Sequence, residues 1–542
     1  MSGPAVLDKD SQTLESRLGW LTEIARSLAG QRDLNSLLDA ILSFARQATK
    51  ADGGTVYRAT DDGQSLTFDL VQNESLGLHL GGSSGTPANF PPMALFDESG
   101  HENRHSVVAY CGLSRHSVRI DDAYAAEGFD FQGAKRFDAA NGYRSQSFLT
   151  VPMVAGDDQL IGVLQLINAR SENGSTTVFS EADQQFIEAL ASQAAIAIEN
   201  KLLVDRLQDL FLAFVNLINV AIDEKSPYTG GHCQRVPALT MMIAEAVSAT
   251  DEGPLAAFTM TERDRAELLM AGLLHDCGKI TTPVHVVDKS TKLETIYDRI
   301  GLLDTRLLAL RRELEIAALQ RQLAGVPKQQ VEQQLARELA ALDDDQAFLH
   351  MVNIGGERMA DADVERVRSM AKRSWTDAKG VPQPLLTENE IENLTTPYGT
   401  LTASERTIIN NHIVATIKML EALPWPPHLR NVPEYAGGHH ERMDGKGYPR
   451  GLTRDQMSVQ ARTMGIADIF EALTAADRPY KPGKTLTESL QILGRMAQSG
   501  HVDPDLFDIF VRKKVYLEYA ERYLQPKQID QVNDAAIPGY TP

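Results

Sequence analysis

The stretch LLMAGLLHDCGK, residues 268–279, sets an apolar run directly before two strongly polar side chains and a glycine-bearing turn. Leu268, Leu269, Leu273 and Leu274 recur at helical spacing and predict a buried helix. His275 and Asp276 close it, and polar groups at the end of a buried helix need partners, because each one left unsatisfied costs about 1–3 kcal/mol. Candidate partners lie in the same half of the chain: His232, His412, the adjacent pair His439–His440, and Asp468. Singly, each has an ordinary explanation; His412 sits on a predicted helix beside Ile409, Ile413 and Ile417, as a core histidine would. As a set, imidazoles with carboxylates suit iron, manganese, zinc or nickel, and Asp276 is the natural bridge between two ions. His439 and His440 follow Gly437–Gly438, and neighbouring side chains on a helix diverge by about 100°. Both can serve one cluster only near a helix end or an irregular turn, which the glycines permit.

The remaining sequence organises around that half. Residues 14–50 carry apolar positions at helical spacing (Leu18, Leu21, Ile24, Ala25, Leu28, then Leu37, Leu38, Ile41, Leu42), and strands are expected at 53–60, 65–72, 147–154 and 159–169. This predicts an α+β domain over 14–200. From 181 to 224 no proline or glycine interrupts an apolar pattern that includes Phe186, Ile187, Leu190, Ala194 and Ile198, so a long connecting helix is expected, with an apolar face available for pairing in a homodimer. The segment 215–535 reads as all-α, with an insertion at about 294–398 whose first part forms a helical hairpin broken by AGVPKQQ at 324–330. The stretch 351–400 is polar and rich in loops.

At 542 residues the chain calls for two or three domains. Its net charge of −20 disfavours broad adhesion to nucleic acid polymers or anionic membranes, and a small anionic substrate would need local cations or metal ions. Three cysteines without CxxC spacing, no signal-like N-terminus and no apolar run long enough to cross a bilayer lead to the expectation of a soluble, cytoplasmic protein.

HDCGK at 275–279 with HHERMDGKGYPRGL at 439–452 resembles the HD-GYP family of phosphodiesterases. The likeness extends through AIDEKSPYTGGHCQRV at 221–236, PVHVVDKSTKL at 283–293, NNHIVATIKML at 410–420 and ARTMGIADIFEALTAADRPYK at 461–481, so that it covers nearly all of 215–500 apart from the insertion. The resemblance implies an all-helical HD-type fold with two divalent ions, iron or manganese. His232, His275, Asp276 and Asp468 would hold one; Asp276, His412, His439 and His440 would hold the other. Some members add a third metal through a glutamate four residues before the first ligand histidine; Tyr228 stands there, so two ions are expected. The implied reaction is hydrolysis of cyclic di-GMP to linear pGpG, with further cleavage to GMP left open. In it Asp276 is the bridging ligand, Lys279, Arg478 and Lys481 are phosphate-binding cations, Tyr448 is a substrate-facing ring, and Glu471 is a carboxylate for proton transfer to the leaving oxygen. Relatives carry aspartate where Glu471 stands, and Asp468 to Arg478 is one residue longer than the usual form. Another cyclic dinucleotide, such as a cyclic GMP-AMP, or a catalytically silent nucleotide-binding scaffold are the alternatives.

SFLTVPMV at 147–154, GDDQLIGVLQLINA at 156–169 and Phe179–Asp183 before the long helix resemble a GAF domain. Of the pattern in cyclic-nucleotide-binding relatives, Asn168, Phe179 and Asp183 are present, whereas Ala169 and Gln184 replace a lysine and a glutamate. The resemblance implies a regulatory domain with a small-molecule ligand of unknown identity or none. The grouping His101, His105, Cys111 and His116 lacks regular ligand spacing and reads as loop chemistry.

Overall fold

The computed structural model describes residues 26, 33–97, 99–156, 158–225, 231–356, 358–476 and 483–541. They fall into two compact units, Met1–Phe211 and Leu212–Pro542. The expected helical positions Leu18 to Leu28 lie outside the described residues.

In the first unit, helix α1 (Leu34–Thr49) starts where Asp33 accepts a hydrogen bond from the Ser36 amide and stops at Lys50 in the left-handed region. Its apolar positions Leu37, Leu38, Ile41 and Leu42 are buried against an antiparallel sheet. The strands are β1 (Ala51–Ala59), β2 (Ser65–Asn73), β3 (Leu78–Gly81), β4 (Met93–Ala94), β5 (Val118–Ile120), β6 (Phe148–Val154), β7 (Leu160–Arg170) and β8 (Thr176–Thr177), with order β3-β2-β1-β7-β6-β5. Helices α2 (Val107–Ser114) and α3 (Gln132–Asn141) precede β6. Strand β7 is buried along most of its length because both sheet faces are covered. On one face lie α1 and the first part of α4 (Glu181–Lys225), through Phe186, Ile187, Leu190, Ala194 and Ile198; on the other, α2 packs Val108, Ala109 and Cys111 onto Tyr57, Leu66 and Val163.

The second unit contains α5 (His232–Ser248), α6 (Glu262–Leu274), α7 (Val284–Val287), α8 (Ile300–Leu323), α9 (Lys328–Asn353), α10 (Asp361–Met370), α11 (Glu388–Leu394), α12 (Ala403–Asn410), α13 (His412–Glu421), α14 (Val432–Gly437), α15 (Val459–Thr474), α16 (Leu486–Gln498), α17 (Pro504–Arg512) and α18 (Val515–Tyr523). Helix α5 packs its apolar side (Val236, Leu239, Ile243, Val247) against Ile466, Ala467 and Phe470 of α15 and the C-terminal helices, while Cys233 and Ala244 meet Leu268, Ala271 and Leu274 of α6. All three cysteines are free and buried. Among the described residues no helix is long and apolar enough to cross a membrane.

The inserted segment forms a lobe with its own core, where Leu303, Leu307, Leu342, Leu349, Val367, Met370, Leu385 and Leu394 meet. One expectation is corrected here. The stretch 351–400 is rich in loops, as expected, and also supplies α10 and α11 to that core. The half is largely rather than wholly helical: β9 (Ser374–Thr376) pairs with β10 (Pro382–Pro384) in a two-stranded ribbon. Its turn is made by Gly380 at φ 76° and by Asp377, whose carboxylate accepts from the amides of Lys379 and Val381. Asp and Gly within a polar stretch mark a turn but say nothing of the short strands beside it.

Candidate metal centre

Every expected metal-binding side chain among the seven sits at a helix end, except Asp468 within α15. His232 opens α5 after Gly231, His275 ends α6, His412 begins α13 where the chain pivots at Asn411, and His439–His440 follow the short α14. The irregular turn expected at the histidine doublet is present. The turn after Asp276 lies directly on α13: a Cβ at Gly278 would come within 2.0 Å of the His412 carbonyl oxygen, and the Gly278 amide donates to Thr416 Oγ1 at 2.9 Å. Glycine is thus what lets the His275–Asp276 pair approach His412.

Two sets of potential ligand atoms result, His232/His275/Asp276 and His412/His439/His440, the atoms of each lying within 4.8 Å of one another. Asp276 connects them. Its Oδ2 faces His232 Nε2 at 3.1 Å and His275 Nε2 at 3.2 Å, and its Oδ1 faces His412 Nε2 at 3.3 Å. Asp468 Oδ1 stands 3.5 Å from His232 Nε2.

The hydrogen bonds sort the ring nitrogens. His275, His412 and His439 direct Nδ1 at the carbonyl oxygens of Gly272 (2.7 Å), Ile409 (2.5 Å) and Ala436 (2.6 Å), so Nδ1 carries the hydrogen and Nε2 a lone pair. His275 Nε2, His439 Nε2 and Asp276 Oδ1 are buried without a hydrogen-bond partner, and His412 Nε2 and His440 Nε2 confront each other at 3.2 Å. Three unsatisfied atoms at about 1–3 kcal/mol each are a cost that a divalent cation would remove. The donor set therefore fits metal binding: neutral imidazole lone pairs and carboxylate oxygens converge, and the outward nitrogens are already fixed.

The charges are unevenly shared. Burial holds His439 down at about 4 and His440 well below the usual range. Asp276 stays ionised despite its burial because the Lys279 ammonium faces it and His232 hydrogen-bonds to it. Lys279 Nζ lies 2.5 Å from Asp276 Oδ2, and Asp276 and Asp468 outweigh burial to keep it protonated. Tyr448 stacks on His440 with ring centroids 4.8 Å apart and planes at 26°.

Glu471 departs from its expected part. It is only 1% exposed; Oε2 accepts from His232 Nδ1 at 2.6 Å and Oε1 from Arg235 Nε at 2.8 Å. Burial would raise its pKa, but His232 and Arg235 hold it at about 2, and both of its oxygens are taken by these two partners. Sequence reading passed over Arg235 and took Gly278 only as part of a turn. The signal for Arg235 is two matching spacings, His232-x-x-Arg235 and Asp468-x-x-Glu471, each placing a ligand one helical turn from its companion. Tyr228, Arg478 and Lys481 lie outside the described residues.

The first unit gathers no comparable set. His101 pairs with Asp97 at the surface, His116 Nδ1 meets the Ser114 carbonyl, and Cys111 is core; among the described residues metal-capable groups occur only in the second unit. Asn168, Phe179 and Asp183 have local work: Asn168 Oδ1 accepts from the amides of Gln146 and Ser147, Phe179 is core, and Asp183 accepts from the Ser180 amide at the start of α4.

A GAF domain model matches residues 33–198, and two HD domain models match 229–343 and 387–506. A 3'3'-cGAMP-specific phosphodiesterase of Vibrio cholerae is 46% identical over 81 residues, 15% of this chain and 19% of the relative. A cyclic di-GMP phosphodiesterase of Pseudomonas aeruginosa is 47% identical over 75 residues, 14% and 17%. A probable cyclic di-GMP phosphodiesterase of Vibrio cholerae is 30% identical over 183 residues, 32% and 41%. The chain spans well under half the length of each of these relatives. The matches give the chain a GAF domain followed by an HD domain.

Proposed function

We propose that this protein is a metal-dependent phosphodiesterase of the HD-GYP kind that opens cyclic di-GMP to linear pGpG, with GMP as the alternative end product. The observation that carries the reading is Asp276, one oxygen on each of two converging imidazole sets that each hold a buried Nε2 without a hydrogen-bond partner, His275 in one and His439 in the other. His232, His275, Asp276 and Asp468 would hold one divalent ion, and Asp276, His412, His439 and His440 the second; iron or manganese suits such a nitrogen–oxygen donor set. When bound, the ions supply a nucleophile at neutral pH and Lewis-acid stabilisation of phosphate charge. The chain's own groups do the rest. Lys279 brings a protonated amine to the phosphate, Arg478 and Lys481 add cations in a protein of net charge −20, and Tyr448 on His440 offers an aromatic wall to a base.

A second substrate has support of its own: the cGAMP-specific and cyclic di-GMP relatives match at 46% and 47% identity, and nothing in the residues named reads the bases. Regulation belongs to the GAF domain, where a cavity of about 660 Å³, lined by Arg58, Asp61, Arg115, Leu160, Glu199 and Arg206, has the size for a small-molecule ligand. The proposal includes a homodimer working in the reducing cytoplasm, consistent with three free cysteines. Protein loaded with manganese or iron should convert cyclic di-GMP, 3'3'-cGAMP, or both to linear dinucleotides, resolved by chromatography, and Asp276→Ala should yield none. Absence of product from either substrate at full metal occupancy would reject the assignment.

A further inference from the structure

Three of the histidines orient themselves. His275, His412 and His439 each hand their Nδ1 hydrogen to the carbonyl three residues back, which leaves Nε2 free to donate its lone pair. His232 is differently placed, at the first position of α5, with its Nδ1 on Glu471 instead. Glu471 is itself held, since the Arg235 guanidinium meets Oε1 through Nε at 2.8 Å and through its terminal nitrogen at 2.7 Å. His232 and Arg235 are one turn apart on α5; Asp468 and Glu471 are one turn apart on α15. The two helices are therefore joined twice, by a ligand pair at one level and an ion pair at the next.

Accepting the metal-centre reading on which this rests, we infer that Glu471, braced by Arg235, is a positioning residue that fixes the tautomer of His232 and strengthens its Nε2 as a ligand for the ion shared with Asp276 and Asp468. A carboxylate on the outer nitrogen of a ligating histidine makes the ring a better donor than a carbonyl does, and losing such a partner typically costs 10–100-fold in metal affinity. Arg235 keeps the carboxylate anionic and fixed in direction, which a lone buried glutamate would not be. The longer side chain is what spans from α15 to Nδ1 while Asp468, one turn earlier, faces Nε2.

The test uses the full chain, stripped with chelator and titrated with Mn²⁺ against a chromophoric competitor, with bound metal counted by mass spectrometry. Wild type should bind two equivalents. E471Q should weaken one of them 10–100-fold and leave the other within about twofold, and excess Mn²⁺ should restore turnover. In an H232A background the same substitution should have no further effect on affinity, because the ring through which it acts is gone. If E471Q fails to fold, E471D keeps the charge but draws it back from the ring, and the same equivalent should weaken. Two equivalents bound at unchanged affinity by E471Q or E471D, with turnover lost irrespective of Mn²⁺, would overturn the positioning role and point back to proton transfer. A wild type that binds no metal would overturn the metal-centre reading and this inference together.

Discussion

Gly278 shows how a single position can hold a centre together from outside it. Its missing side chain leaves room for the His412 carbonyl, and any Cβ would sit 2.0 Å from that oxygen and 2.5 Å from the Thr416 amide. G278A should push α13 away from the His275–Asp276 turn. We expect a loss of roughly 1–3 kcal/mol in unfolding free energy by urea denaturation and weakened binding of both metal equivalents; an unchanged midpoint with full metal content would contradict this. The seven ligand candidates were readable in the sequence as a set of histidines and aspartates and through the family motifs that carry them, not one by one. The orientation of their outer nitrogens was not, since a backbone carbonyl three residues earlier has no side-chain signature. Glu471 was visible as a carboxylate beside Asp468, yet its direction was hidden: only the placement of α5 against α15 turns it toward His232.

At the scale of elements, periodicity and turn chemistry carried the reading, and they failed where elements are short. The long helices and the four principal strands followed from apolar spacing, whereas α10, α11 and the β9–β10 ribbon are held mainly by the lobe core. Two elements invite measurement. Along α4, Ile196, Leu203, Leu207 and Leu210 are exposed at alternating spacings of three and four once exposed Asn200 is counted, the pattern of a coiled-coil seam with a polar position. The double variant L203E/L207E should convert the proposed homodimer to monomer by light scattering; a monomeric wild type would remove the dimer from the proposal. The second element is the start of α12, where the buried Lys289 ammonium bonds both oxygens of Glu405 at 2.8 and 2.7 Å. Burial would raise the Glu405 pKa, but Lys289 and the Thr402 amide lower it below 4.5. A lowered folded-state value means that its contribution is complete above about pH 4.5 and is lost as the pH falls below that. Between about pH 6 and 3, E405Q should therefore show a flatter fall in urea midpoint than wild type, and an identical slope would refute the assignment.

For the whole molecule, each unit has a core of its own, so removing the ions should be felt by one of them alone. Ions present at about a thousand times their dissociation constant stabilise by about 4 kcal/mol. Chelation should lower the calorimetric transition of the second unit by roughly 5–10 °C and leave that of the first in place; equal shifts in both would argue against metal residing only among these histidines. A mixed α+β part followed by a largely helical one was legible from the loss of strand patterns along the chain, while the insertion declared its length and hid its architecture. Its attachment is compact. Thr291 bridges to Ile354, the Lys292 amide donates to the Asn353 carbonyl, and the Lys292 ammonium spans the carbonyls of Leu394 and Thr396, while Lys289 reaches Asn393. Departure and return are thus tied at one neck by two lysines that precede the lobe. A neck of this kind makes the lobe a cassette: because the closing contacts reside at its base, about a hundred residues can be lengthened, exchanged or lost there at a loop-closure cost that grows only logarithmically, without retuning the histidines beyond it.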